Sequence, residues 1–367
     1  MDPIILAVQL ALTAFGILGV ATADPGALTD QAVRGGLSLL LSAGVGQLSP
    51  RGVMRLSTPF FLAMVGLLVA VLLFGITSDG SDSTRWLLIP GIGFTFQPSE
   101  LMKVAVIAYM ASFFQNHLGD WRIGRPVIVI GVAAGLVIAQ PNISTGVFIA
   151  LLTFGIMIAA KTRVDHLLAI SFMGFVGAII VGSAIYTNFQ YAANRVLGFL
   201  ALWRDTSLAD TLNFQSLAAR RALAQGGLFG IGGGHSVNVP EVHTDFIAAA
   251  IGQATGLIGI LTIILLFFII LFRGMAIGGA VTGPASLLAA GATLYVTAQA
   301  ALNLIVALGM GPVTGAALPL VSYGMNSQIS IGIAFGFIHL AAKELRRQQN
   351  IHTQEVEQVQ PWQSETV

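Results

Sequence analysis

The chain contains no cysteine and few charges: Lys, Arg, Asp and Glu together make up 9% of its 367 residues. Without thiols it cannot form disulfides, attach haem through thioethers, hold an iron–sulfur cluster through cysteine or use a thiol nucleophile. The shortage of charge excludes an ordinary soluble domain, where about 25% of residues are charged. A formal net charge of +1 says little about partners, and no nucleic acid is expected. The first apolar run follows almost directly on Met1 with no basic stretch before it, so no cleavable signal peptide is expected. No internal repeat is evident.

What the chain does have is apolar length. It is 55% hydrophobic with 43 glycines, and its mean hydropathy is +0.85. Long apolar runs and small residues predict an all-α integral membrane protein rather than a β-barrel, whose segments are short and alternating. A span needs roughly 20 mostly apolar residues. Ten candidates run about 4–22, 35–49, 58–77, 99–115, 126–140, 143–160, 165–186, 245–272, 279–308 and 322–343. Residues 1–345 thus read as one polytopic membrane domain, and the polar tail 346–367 as cytoplasmic and disordered.

Short-loop Lys and Arg set the orientation. With the N-terminus in the cytoplasm, the cytoplasmic side carries Arg51, Arg55, Arg122, Arg125, Lys161, Arg163, Arg273, Lys343, Arg346 and Arg347. Both termini are expected in the cytoplasm, with the large loop 187–244, between the seventh and eighth spans, outside.

Five constellations could carry chemistry. In Gln97-Pro98-Ser99-Glu100, Ser99 can cap the fourth helix and Glu100 suits its N-terminal dipole. Lys103 shares the face of Glu100 at i, i+3 and, within an apolar span, needs a partner or a wet cavity. PEVHTDF, 240–246, holds Asp245, the last acidic residue before Glu344. A carboxylate there either caps the eighth helix or serves as a general base. Glu241, His243 and Asp245 lack the helical spacing of a metal site, so no metal is assigned to them. Arg195, Arg204, Arg220 and Arg221 gather in the outer loop, as headgroup anchors, with Arg220 and Arg221 on an amphipathic helix at 215–223, or as a phosphate clamp. The turn Gly226–Ser236 is either a flexible re-entrant turn or a set of backbone N–H groups open to an anion. Gly311–Gly315 and Leu318–Gly324 place Pro and Gly within an apolar run, either as a plain tight loop or as a broken helix lining a cavity.

RWLLIPGIGFTFQPSELMK, GFLALW, AQGGLFGIGGG, PEVHTDF, PVTG and LPLVSYG occur in this order. Together they resemble the SEDS family (shape, elongation, division and sporulation), over nearly the whole chain. The resemblance implies a ten-helix glycosyltransferase that polymerises lipid II into a growing peptidoglycan strand, in cell elongation or division. It also implies a class B penicillin-binding protein as transpeptidase partner. The family's essential aspartate falls on Asp245, its functional Glu and Lys on Glu100 and Lys103, and its outer-loop arginine on Arg195. Arg220, Arg221, His243 and Ser322 join Arg195 as expected substrate contacts. Departures from the family pattern are Asn142, Gln253-Ala254-Thr255 and Met325-Asn326-Ser327.

The implied reaction needs a base for the acceptor hydroxyl and cations for the departing pyrophosphate. Asp245 takes the first task. Lys103 with Arg195 takes the second, and Glu100 orients Lys103. No cofactor is evident; a divalent cation, Mg or Mn, is the one candidate, for the pyrophosphate. The rival readings are a flippase or transporter of the same lipid and a non-catalytic scaffold for the penicillin-binding protein.

Overall fold

The computed structural model describes residues 1–77, 84–89, 91, 94–116, 124–172, 174, 196–200, 214–233, 237 and 239–359. It is helical throughout, apart from one small sheet. The helices are α1 (Pro3–Ala23), α2 (Leu28–Gln47), α3 (Pro50–Phe74), α4 (Pro98–Asn116), α5 (Gly124–Ala139), α6 (Ile143–Ala159), α7 (Phe214–Gly226), α8 (Ile247–Ala280), α9 (Pro284–Ala307) and α10 (Met325–Val359). Among the described residues α1, α3, α8, α9 and α10 are long and apolar enough to cross a membrane, and α5 and α6 are shorter apolar helices. Each of the ten candidate spans overlaps a helix; the seventh is described as helix over 164–172.

Local chemistry sets several boundaries. The Asp2 side chain accepts from Ile5 N and Pro3 opens α1; Ser49 accepts from Gly52 N ahead of Pro50 in α3. Asn142, one of the departures, caps α6 by accepting from Thr145 N. These side chains satisfy N–H groups that a helix start leaves unpaired.

Two expectations are corrected. An antiparallel sheet of β1 (Ile76–Thr77), β2 (Thr84–Ile89) and β3 (Phe94–Phe96) stands between α3 and α4. The span expected over 58–77 is helix only to Phe74, and Ile76–Thr77 at its end are strand, which β-branched residues suit. Leu87 pairs with Phe96 and Leu88 with Thr95. The tail, expected to be disordered from 346, continues α10 to Val359. Glu, Gln and Arg there are good helix formers, and extending an existing helix avoids the cost of nucleation. Gln348 accepts from Thr282 N and Arg346 donates to Met1 O, which ties the start of this extension to the bundle.

The core gathers around α8, α9 and α10. The second and tenth helices lie along one another, α1 packs on α8, α3 on α4, and α5 on α6. Close approach explains a glycine here: a Cβ at Gly332 would stand 2.6 Å from Ser38 O on α2. Small residues allow that packing in lipid, where no hydrophobic force drives helices together.

Helix α8 breaks at Gly256, which has φ 71° and ψ −165°. A break within a span strands backbone groups that lipid cannot satisfy. The glycine turn after α7 satisfies them. Ile231 N donates to Gln253 O and Gly232 N to Ala254 O, while Leu257 N donates to Gly227 O and Ile258 N to Leu228 O. The turn through Gly232 is therefore a docked backbone clamp. Ile231 N and Gly232 N serve α8, while Gly227 N and Gly230 N bond Ala224 O and Gly226 O, so these four are not open to an anion; residues 234–236 of the turn lie outside the described residues.

Candidate active site

Asp245 lies in a turn rather than in a helix cap. Helix α8 has Phe246 at its N-cap with no side-chain bond, which removes the capping reading of Thr244 and Asp245. The turn is wound on Glu241, whose carbonyl accepts from Thr244 N, Asp245 N and Phe246 N. Glu241 sits at φ 52°, and across the site Leu320 sits at φ 65°. Left-handed backbone at non-glycine residues persists only where surrounding bonds over-determine it.

Those bonds come from the loop between α9 and α10. Ser322 Oγ donates to Thr244 O at 2.6 Å and accepts from Leu318 N at 2.7 Å. Tyr323 N donates to His243 O at 2.8 Å, and the two rings meet edge to face at 5.6 Å. Arg34 of α2 stacks on Tyr323, 3.7 Å from its centroid, and donates to its hydroxyl. Asp30 accepts from that hydroxyl at 3.2 Å. Ser322 is thus buried with its hydroxyl spent inside the protein. It supports the aspartate turn, where a substrate contact was expected.

The Asp245 carboxylate is half-buried beside Gly315. Gly315 sits at φ 73°, a backbone that strains other residues, and a Cβ there would touch Asp245 Oδ2 at 3.6 Å. The proline- and glycine-rich segment is therefore irregular backbone lining the carboxylate, rather than a plain connector.

Glu100 and Lys103 meet as their spacing predicts: Nζ lies 2.7 Å from Glu100 Oε1. The pair is buried, with Lys103 3% exposed. The other acceptor of Lys103 is Gln299 Oε1, at 2.7 Å. The rings of Tyr295 and Phe148 flank the ammonium at 5.0 and 5.7 Å. Lys103 has found partners rather than a wet cavity, so its charge is held inside the bundle. Ser99 does not cap α4; its hydroxyl is buried without a partner among the described residues.

Two residues that bond into this arrangement escaped the sequence reading: Gln299 and Asn303 on α9. Gln299 Nε2 donates to Ala317 O at 2.9 Å. Asn303 Nδ2 donates to Asp245 O at 2.8 Å and to Ala316 O at 2.7 Å. Tyr295 completes the stripe: it bonds Ser330 Oγ, which donates to Glu100 O. The signal was present as Tyr, Gln and Asn four apart along an apolar span, hence on one helix face.

Asn326, a second departure, accepts from Gln97 N and donates to Thr95 O, and so fastens β3 and the start of α4 to α10. Gln253 donates to Gln225 of α7. Arg195 and Arg204 lie outside the described residues. Arg220 and Arg221 are on α7, which packs on α8, with Gly226 and Leu223 against Gly252, rather than lying freely on a bilayer. The stem of Arg220 runs over Gly309, while Arg221 is exposed. Among the described residues no three His, Asp or Glu side chains gather.

Similarity to known proteins agrees with this arrangement. Probable peptidoglycan glycosyltransferases FtsW are similar over most of their length. The one from Methylococcus capsulatus (strain Bath) is 31% identical, over 92% of this chain and 89% of its own. Another, from Geobacter sulfurreducens, is 29% identical over 92% and 94%. A chain of a peptidoglycan synthase complex, solved for its coordination of polymerization and crosslinking, has a TM-score of 0.76 at 27% identity, over 94% of this chain and 98% of that one. The rod shape determining protein RodA of Thermus thermophilus has a TM-score of 0.68 at 25% identity, over 94% and 97%. Residues 11–347 match the family model of FtsW, RodA and SpoVE, described as cell cycle proteins. The chain belongs to that family, the SEDS family its motifs resemble.

Proposed function

We propose that this protein is a peptidoglycan glycosyltransferase that polymerises lipid II at the outer face of the cytoplasmic membrane. The observation that carries the proposal is Asp245, a half-buried carboxylate in a bonded turn beside a glycine-lined flank. The kinship with probable peptidoglycan glycosyltransferases FtsW supports the reaction. Lys and Arg in the short loops support an orientation with both termini cytoplasmic.

An acceptor-sugar hydroxyl attacks the anomeric carbon of the donor. The new glycosidic bond forms as the bond to the polyprenyl pyrophosphate breaks, and the hydroxyl proton passes to Asp245. A carboxylate is ionised at neutral pH unless deeply buried, so it is ready to accept that proton. A single displacement inverts the anomeric carbon. The departing pyrophosphate needs cationic neighbours, a role given to Arg195, with Arg220 and Arg221 on the same outer segment. Lys103, engaged by Glu100 and Gln299, is reassigned from the pyrophosphate to holding the site together. The similarity to a chain of a peptidoglycan synthase complex supports a transpeptidase partner, a class B penicillin-binding protein.

The test is polymerisation of lipid II by the full chain with its partner in detergent, with and without chelator. Wild type should give polymer and Asp245→Asn none. Wild-type yield from Asp245→Asn would remove Asp245 from the chemistry. A flippase would give no polymer where there is no membrane to cross.

A further inference from the structure

The buried ion pair and the aspartate turn are joined by one face of α9. Gln299 and Asn303 are one helical turn apart and both buried, at 2% and 1% exposure. Gln299 is wholly engaged at its working ends: Oε1 takes Lys103 Nζ and Nε2 holds Ala317 O. Asn303 spends both Nδ2 hydrogens on carbonyl oxygens, those of Ala316 and of Asp245 itself. Only an NH₂ group can donate to two carbonyls, so the orientation of this amide is fixed by its partners. Ala316 and Ala317 directly follow Gly315, the residue flanking the Asp245 carboxylate. A continuous path thus runs from Glu100 through Lys103 and Gln299 to the 315–317 segment, and from there through Asn303 to Asp245.

We propose that Gln299 and Asn303 are positioning residues that hold Asp245 and its glycine-lined flank in working register, using the Glu100–Lys103 pair as their anchor. This deepens the proposed function and rests on Asp245 being the base. The physical case is geometric. Asp245 is in a turn, outside regular helix, so its place depends on the turn's own bonds to Glu241 O together with bonds from the facing loop and α9. Ser322 and Tyr323 fix the residues before it, Thr244 and His243. Asn303 is the side chain that reaches Asp245's own carbonyl and the facing wall together. A base displaced by about 1 Å can cost on the order of a hundredfold in rate. Lys103 then affects the reaction without touching substrate, because Gln299 transmits its position.

The experiment compares initial rates of lipid II polymerisation by the full chain with its partner, per folded protein, for Gln299→Glu, Asn303→Leu and the double variant. Folded protein is measured by size exclusion and thermal melting. Gln299→Glu keeps the volume and the acceptor for Lys103, so it retains the fold while setting an oxygen against Ala317 O. Each variant should lower kcat roughly ten- to a hundredfold with KM for lipid II within threefold of wild type. The acid limb of its pH–rate profile should also shift, because the environment of the base has changed. The double variant should lose no more than the worse single one, since both act through one segment. Wild-type kcat in folded Gln299→Glu, or a double loss equal to the product of the single ones, overturns the proposal. Asp245→Asn is assayed alongside. If it polymerises normally, the reading of Asp245 fails; if it is inactive while Gln299→Glu and Asn303→Leu are unimpaired, only the positioning role fails.

Discussion

The Ser322 hydroxyl donates to the carbonyl oxygen of Thr244 at 2.6 Å and accepts from Leu318 N at 2.7 Å. One small side chain thus joins the turn that carries Asp245 to the loop facing it, across 78 residues of sequence. Ser322→Ala leaves a buried N–H and a partly buried C=O without their partner, a loss of about 1–3 kcal/mol. The melting temperature in detergent should fall. Polymerisation should fall too, with KM little changed, because the turn loosens without losing a substrate contact.

The Glu100–Lys103 pair makes a different kind of prediction. Removing one partner of a buried pair strands a charge at a cost of about 3–5 kcal/mol, whereas removing both together costs less. Lys103→Met should therefore melt well below wild type, and Glu100→Gln/Lys103→Met should recover part of the loss. Equal melting of the single and double variants would mean that the pair carries no buried strain.

Gly256 tests the break in α8. Its backbone lies where side chains are strained, at φ 71°, and an added Cβ would meet Gly230 N at 2.4 Å. Gly256→Ala should destabilise by at least roughly 1–3 kcal/mol from the backbone alone, with the clash added. Gly279→Ala, where a Cβ meets nothing within 4 Å, is the control and should melt like wild type.

Acid should weaken the end of the bundle where Asp2 sits. Burial pushes the Asp2 carboxyl up, but its hydrogen bonds to Arg273, Ile5 N and Ile4 N and the Arg273 charge outweigh that and hold it below the usual value. A lowered folded-state value means stability that is fully present above the unfolded value, about 3.9. That stability is lost as pH falls through the folded value. Melting measured from pH 7 down to pH 3 should show this loss in wild type and a flatter profile in Asp2→Asn. Parallel profiles would show that the Arg273 contact contributes nothing.

Much of the site was legible because its signals are local. Glu100 and Lys103 are three residues apart, and helical geometry alone puts them on one face. Asp245 stands out because a charge at the start of a long apolar run is expensive. The tail was misread for an equally local reason: polarity beyond 345 suggested disorder, although the residues favour helix and α10 was already nucleated. The glycine turn was misread because its partner, the break at Gly256, is invisible from composition. Ser322 was placed at the substrate by motif, and only its two bonds show that it faces inward.

By itself, the sequence determined that this chain is a multi-pass helical membrane protein and which carboxylate lies at the end of the longest polar segment. Hydropathy and helical periodicity depend on neighbours a few residues away, so they survive without coordinates. Tertiary structure alone decided what those charges do. Lys103 meets Gln299 across 196 residues and Asn303 meets Asp245 across 58. An amide within an apolar helix has no meaning until its partner is known, because a buried donor is costly alone and structural once paired.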